Sequence, residues 1–340
     1  MNTVFVSHPQ NMLGRYFGDK ALAALRAFAD VRLNPEDREL DTGELIAAAD
    51  GCDAIIAYRQ TRAPGALFSA LPGLTAFVRC AVDISTIDVE AASAHGVLVT
   101  RASAGFVAAV SEWTIGVMLD LARGTSAYVA AYHRGEPRAP AMGRELRGAT
   151  LGVIGYGQIS RYLCELARAF GMRVLVADPY ATIDHPAVQH VALEALLGES
   201  DYVVCLAPST PATANLMNAR TFASMKAGAC FINAARGELV DDTALLAALE
   251  SGHLGGCALD VGREADQMPS QILARHPKVV ATPHVGGLTP DATQHQAMET
   301  VAQVDALFRG HLPVGAVNAS HATRLCKFGH DAALFVPLKD

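Results

Sequence analysis

Short apolar runs alternate with amphipathic stretches along almost the whole chain. Val4–Val6, Ala54–Ile56, Ala76–Val78 and Val97–Thr100 are apolar runs of strand length, and helical patterns at Ala21–Phe28, Gly43–Ala49 and Val89–Ala94 lie between them. Strands this apolar, alternating with helices, predict a parallel sheet covered on both faces. Residues 104–130 read as one long, mostly apolar helix, and a loop rich in Pro, Gly and Arg follows. A second strand–helix series begins at Ala149 and runs to about Thr282, and after Gly286 the pattern is helical again. The layout predicts an α/β chain of two doubly wound parallel-sheet domains. Residues 104–285 form an inserted domain, and residues 1–103 with 286–340 form the other.

Length and composition agree with this. A chain of 340 residues suits two cores, and 51% apolar with 18% charged residues is globular composition. A formal net charge of −7 and no Lys/Arg run leave no electrostatic case for nucleic acid. The N-terminal MNTVFVSHPQNM has no basic stretch followed by a long apolar one, and no run approaches a membrane span, so neither a secretory signal nor a membrane anchor is predicted. Cysteines stand at 52, 80, 164, 205, 230, 257 and 326, none in a Cys-x-x-Cys pair. A reduced, cytoplasmic protein without a metal site is the simplest reading.

Residues 149–178 read ATLGVIGYGQISRYLCELARAFGMRVLVAD. A strand, Thr150–Ile154, runs into Gly155-Tyr156-Gly157-Gln158-Ile159-Ser160; a helix follows, then a strand at Arg173–Ala177 that ends on Asp178. A Gly-x-Gly pair alone is weak. Between a strand and a helix, with an acid 21 residues beyond the second glycine, it is a dinucleotide signature. The first glycine permits the tight turn, and the second lets backbone approach a pyrophosphate at the helix N-terminus beside Gln158 and Ile159. Ser160 stands where a third glycine is usual, a packing position that a small residue can fill. Asp178 accepts from ribose hydroxyls and repels a 2′-phosphate, which favours NAD over NADP. The bland alternative is an ordinary strand–turn–helix connection.

From these motifs onward the chain resembles the D-isomer-specific 2-hydroxyacid dehydrogenases. The resemblance rests on GRELRGATLGVIGYGQI, LAPSTPATANLMNARTFASMKAGACFINAARGELVD, GGCALDV and TPHVGGLT, in the family's order and spacing. It implies a Rossmann NAD-binding domain inserted into a flavodoxin-like substrate domain, and a homodimer. Carried over by position, Arg236 matches the substrate-binding arginine, Asp260 the residue near the nicotinamide amide, and His284 the catalytic acid/base. Pro208, Thr213, Ala234 and Gly286 fall in segments that line the cofactor, while Arg59, Val82 and Asp83 fall in the substrate loops.

The chemistry supports these residue types independently. A protonated imidazole can hydrogen-bond a keto oxygen and then protonate the forming alcohol. A guanidinium can pair with a carboxylate and polarise the carbonyl. Read without the family, Arg236 is a solvated loop arginine and His284 a turn histidine. Both follow apolar runs, FINAA and VVATP, and so sit at the C-terminal ends of predicted parallel strands, where ligands bind.

The chain departs from the family pattern in two places. The histidine's usual glutamate partner is Ala265 here, in DVGREADQMP; one inserted residue makes Asp266 the expected partner and Glu264 its competitor, the bland reading being two solvated acids. In RCAVDISTID, Asp83 replaces a glycine near the substrate carboxylate and either points away or pairs with Arg59, Arg62 or Arg79, which are otherwise surface residues. Trp113 is read as packing, and His321 and His330, in the segment after PVGAVN, as surface residues. Two functions follow. One is an NAD-dependent oxidoreductase acting on a small 2-keto or 2-hydroxy acid; the other is an NAD-binding, corepressor-like regulator with little turnover. Retention of Arg236 and His284 argues for the first.

Overall fold

The computed structural model describes residues 1–330, apart from Pro137, Asp184 and the side chain of Asp266. The chain divides into two compact units, Met1–Phe106 with the segment from Thr289 onward, and Val107–Leu288.

The first unit is built on five parallel strands, β1 (Thr3–Val6), β2 (Asp30–Leu33), β3 (Ala54–Ala57), β4 (Ala76–Arg79) and β5 (Leu98–Arg101), in the order β2-β1-β3-β4-β5. That is the flavodoxin-like order. Because side chains alternate along a strand, Val4, Val6, Ile56 and Val78 pack on one face with the helices Gly18–Arg26 and Pro290–Phe308, while Phe5, Ile55 and Phe77 pack on the other. Each Phe, Ile or Val so buried contributes about 1.5–3 kcal/mol of apolar transfer.

The second unit holds seven parallel strands: β6 (Thr150–Ile154), β7 (Arg173–Ala177), β8 (Val188–His190), β9 (Tyr202–Cys205), β10 (Cys230–Asn233), β11 (Gly256–Leu259) and β12 (Val279–Ala281). Their order is β12-β11-β10-β9-β6-β7-β8, the doubly wound Rossmann order with its switch point between β6 and β9. Both faces are covered, one by Leu196, Met217, Phe222 and Leu245 and the other by Ile115, Met118, Leu163 and Cys164.

The long helix read over 104–130 is in fact two, Val107–Arg123 and Thr125–His133. Gly124 between them has φ 65°, the left-handed conformation that ends helices. Apolar residues continue on both sides of the break, so periodicity gave no sign of it. Among the described residues, no helix is long and apolar enough to cross a membrane, and no cluster of ligating side chains could hold a metal.

Candidate active site

All seven strands of the second unit are parallel, so their C-terminal ends share one edge. In spatial order along that edge come the loops after β6 (Gly155–Gly157), β9 (Pro208–Thr213), β10 (Ala234–Arg236), β11 (Asp260) and β12 (His284–Gly286). Gly155, Gly157, Pro208, Thr213, Ala234, Arg236, Asp260, His284 and Gly286 are all on those five loops, and Asp178 follows β7 on the same edge.

The glycine turn has the geometry a dinucleotide needs. Gly155 sits at φ 89°, and a Cβ there would lie 2.8 Å from Ala207 Cα, so only glycine fits. At Gly157 a Cβ would meet nothing within 4 Å. Gly157 starts the helix Gln158–Ala169, and among the described residues no side chain caps it. The first-turn N–H groups are therefore left for an anionic group. Ser160 is buried on the packing side of that helix, and Ser111 Oγ donates to Ile159 O at 3.1 Å.

Asp178 closes the turn. Its Oδ2 accepts from Tyr156 N at 2.8 Å, and its Oδ1 from Tyr180 N at 2.8 Å and Ala181 N at 3.1 Å. Partial burial pushes this carboxyl up, but the three backbone donors outweigh it and hold it below the ordinary aspartate value. Three of about four acceptor sites are used, which leaves one for a hydroxyl. In the next loop Thr213 Oγ1 donates to Pro208 O at 2.7 Å and fixes the turn.

Arg236 is half-buried in the turn after β10. Asn233, buried at the strand end, accepts from Ala235 N with its Oδ1 and donates from its Nδ2 to Arg236 O at 2.9 Å. Arg236 Nη1 donates to Ala235 O at 2.8 Å.

His284 has φ 54°, costly for a residue with a side chain, of order 1–3 kcal/mol. The surrounding hydrogen bonds hold it there. His284 N donates to Asp260 O at 3.0 Å. The Asp260 carboxylate, 3% exposed, accepts from Thr282 Oγ1 at 2.6 Å, Val285 N at 2.8 Å and Gly286 N at 2.7 Å. Asp260 thus builds the turn that presents His284. Of the two acids weighed as its partner, the side chain of Asp266 lies outside the described residues. Glu264 is exposed and precedes the short 3-10 helix Ala265–Gln267.

Residues 115–286 match the family model described as D-isomer specific 2-hydroxyacid dehydrogenase, NAD binding domain. The chain is 35% identical over 269 residues to the (S)-sulfolactate dehydrogenase of Chromohalobacter salexigens, covering 78% of this chain and 87% of that one. It is 33% identical over 320 residues to D-3-phosphoglycerate dehydrogenase 2, chloroplastic, of Arabidopsis thaliana, covering 92% of this chain and 50% of that one. The chain belongs to the D-isomer-specific 2-hydroxyacid dehydrogenase family. A solved D-2-hydroxyisocaproate dehydrogenase has the same fold, with TM-score 0.83, 25% identity and coverage of 94% of this chain and 100% of that one. The chain spans about half the length of the D-3-phosphoglycerate dehydrogenases it matches, 50% to 55% of each.

The cofactor of this family is NAD, and the residues present fit it: a Gly155–Gly157 cradle with free helix N–H groups, and a carboxylate one strand along with acceptor capacity left. The remaining family positions lie in the first unit, at the C-terminal edge of its sheet. Arg59 follows β3 and lies 5.6 Å from the Tyr16 ring centroid. Val82 and Asp83 follow β4, and Asp83 Oδ1 accepts from Ser85 N at 2.8 Å.

Several expectations need correction. Arg79 is no surface residue: it is fully buried, with Nη2 donating to Thr61 O and Thr86 Oγ1, each at 2.7 Å, and Nη1 to Tyr58 O. Burial pulls its guanidinium down to about 10, against the charges of Asp83 and Glu39. It pins the carbonyls on either side of Arg59 and Gln60, a role no sequence signal carries. His330 is buried, and the Nδ1 of half-buried His321 is shielded from solvent, because residues 319–330 pack into the first unit. There Leu325 joins the core, and Arg324 Nη1 donates to Leu71 O and Leu74 O. Trp113 packs on the second unit's core beside Gly286, as read.

Proposed function

We propose that this protein is an NAD-dependent dehydrogenase that interconverts a small 2-keto acid and its D-2-hydroxy acid. The carrying observation is that Arg236, Asp260 and His284 follow three adjacent parallel strands, on the same edge as the glycine turn. The nicotinamide, when bound, supplies or accepts the hydride at the alpha carbon. Arg236 pairs with the substrate carboxylate and stabilises the charge that grows on the keto oxygen. His284 hydrogen-bonds that oxygen and gives it a proton on reduction, or takes it on oxidation. Asp260 holds the His284 turn. We assign the partner of His284 to Asp266, and substrate contact in the first unit to Arg59, Val82 and Asp83.

The acid is assigned as a class only. The relatives are named for phosphoglycerate, sulfolactate and hydroxyisocaproate. The test is NADH consumption with a panel of the corresponding keto acids and pyruvate. Turnover of at least one is expected; NADH binding without turnover of any would move the protein to the regulatory reading. A homodimer is also proposed, supported by Leu119, Val129 and Tyr132, which stand exposed along 107–133. Sedimentation velocity distinguishes one chain from two.

A further inference from the structure

The loop that leaves β11 carries an arginine with a position of its own. Arg263 Nη2 donates to Asn215 Oδ1 at 2.5 Å, Val240 O at 3.0 Å and Glu238 O at 3.1 Å, and its Nε donates to Val240 O at 3.3 Å. Glu238 and Val240 belong to the turn that begins at Arg236. Asn215 belongs to the segment that follows Thr213, and it stands at φ 51°. The two segments are already laced together: Asn215 N donates to Glu238 O, Met217 N to Leu239 O, and Asp241 N to Met217 O, each at 2.9 Å. One guanidinium thus caps a short ladder between the proposed cofactor loop and the turn of the proposed substrate arginine.

The same loop supports that turn from beneath. A Cβ on Gly237 would lie 2.2 Å from the carbonyl carbon and oxygen of Gly262. The residue after Arg236 therefore rests directly on the backbone before Arg263, with no side chain between to absorb movement. On the other side, Asn233 grips Arg236 O.

We propose that Arg263 is a positioning residue for Arg236, setting the height and tilt of the turn that presents the substrate-binding guanidinium. This rests on the reading of Arg236 as the residue that binds the substrate carboxylate. A planar fork reaches three acceptors on two segments, whereas an ammonium on a flexible stem cannot hold all three. Misplacement of such an anchor by about 1 Å can cost about a hundredfold in rate.

The experiment compares Arg263→Ala, Arg263→Lys, Arg236→Lys and the double variant Arg236→Lys/Arg263→Ala, using the best keto acid of the panel. Both Arg263 variants are expected to lower kcat/KM about tenfold to a hundredfold, mainly through KM for the acid, with the NADH Kd within about twofold of wild type. In the Arg236→Lys background, Arg263→Ala should add at most about threefold, because its effect runs through the lost group. Asn215→Gly keeps the positive φ and removes one acceptor; it should raise KM in the same direction and serves if Arg263→Ala does not fold. Near-normal kcat/KM in folded Arg263→Ala, or in Asn215→Gly where that stands in, overturns the inference. So do effects of Arg236→Lys and Arg263→Ala that multiply. An Arg236→Lys enzyme with normal kcat/KM removes the reading of Arg236 itself and this inference with it; a crippled Arg236→Lys beside a normal Arg263→Ala overturns the inference alone.

Discussion

Asp260 accepts a 2.7 Å hydrogen bond from the backbone N–H of Gly286, two residues beyond His284 and on the neighbouring strand's loop. Its other oxygen accepts from Thr282 Oγ1 and Val285 N. Asparagine has one acceptor oxygen and one NH2. Thr282 can reverse its hydroxyl to suit an NH2, but one of the two backbone N–H groups must then face a donor. For groups this buried the cost is about 1–3 kcal/mol. Asp260→Asn should therefore lower the melting temperature and reduce kcat more than tenfold, since the strained His284 turn loses its tether. An enzyme with unchanged kcat would show that the turn holds itself.

The proton assigned to His284 gives opposite pH profiles. Reduction needs imidazolium, so its rate should fall as pH rises; oxidation needs the neutral ring and should rise over the same range. His284→Asn should abolish both limbs and most of kcat. Parallel profiles for the two directions in wild type would exclude a single group acting as acid and base.

Asp178 ties cofactor choice to the glycine turn. Removing its charge lessens repulsion of a 2′-phosphate, but it also strips Tyr156, Tyr180 and Ala181 of their N–H acceptor. Asp178→Ala should raise the ratio of NADPH to NADH efficiency while weakening NADH itself. Steady-state kinetics with both cofactors checks this, and a wild type that prefers NADPH would refute the ribose role.

His8 makes the first unit sensitive to acid. Both ring nitrogens are buried and, among the described residues, without a hydrogen-bond partner; the ring lies between Phe17 and Tyr58 at centroid distances of 5.3 and 5.2 Å. Burial, and secondarily the Arg79 charge, lower its pKa from 6.5 to about 3. The unfolded chain therefore binds a proton that the folded state refuses. Stability is fully present above about pH 6.5 and falls on acidification toward pH 3, by about 1.4 kcal/mol per pH unit. His8→Phe should remove about 2 kcal/mol of the stability difference between pH 7 and pH 5, measured by urea unfolding. An identical pH dependence in the two proteins would mean that His8 does not control it.

The apolar alternation along this chain was enough to place most strands and to read two doubly wound sheets, because a parallel strand buried on both faces has no polar phase to confuse it. Gly155, Gly157 and Asp178 were legible for a related reason: backbone approach to phosphate demands glycine, and the demand is local. Short or marginal elements escaped. The edge strand Asp30–Leu33 alternates exposed with half-buried residues, and the helix Gly65–Ala70 is less than two turns long. What only the tertiary structure decided is where polar side chains spend their hydrogen bonds. Asp260 meets donors 22 to 26 residues away, Arg263 meets acceptors 23 to 48 residues away, and Arg79 is buried against carbonyls 18 and 21 residues back. Hydrophobic burial follows from a residue's own chemistry and its period along the chain. Polar pairing depends on a partner that folding brings in from elsewhere, so no local pattern announces it.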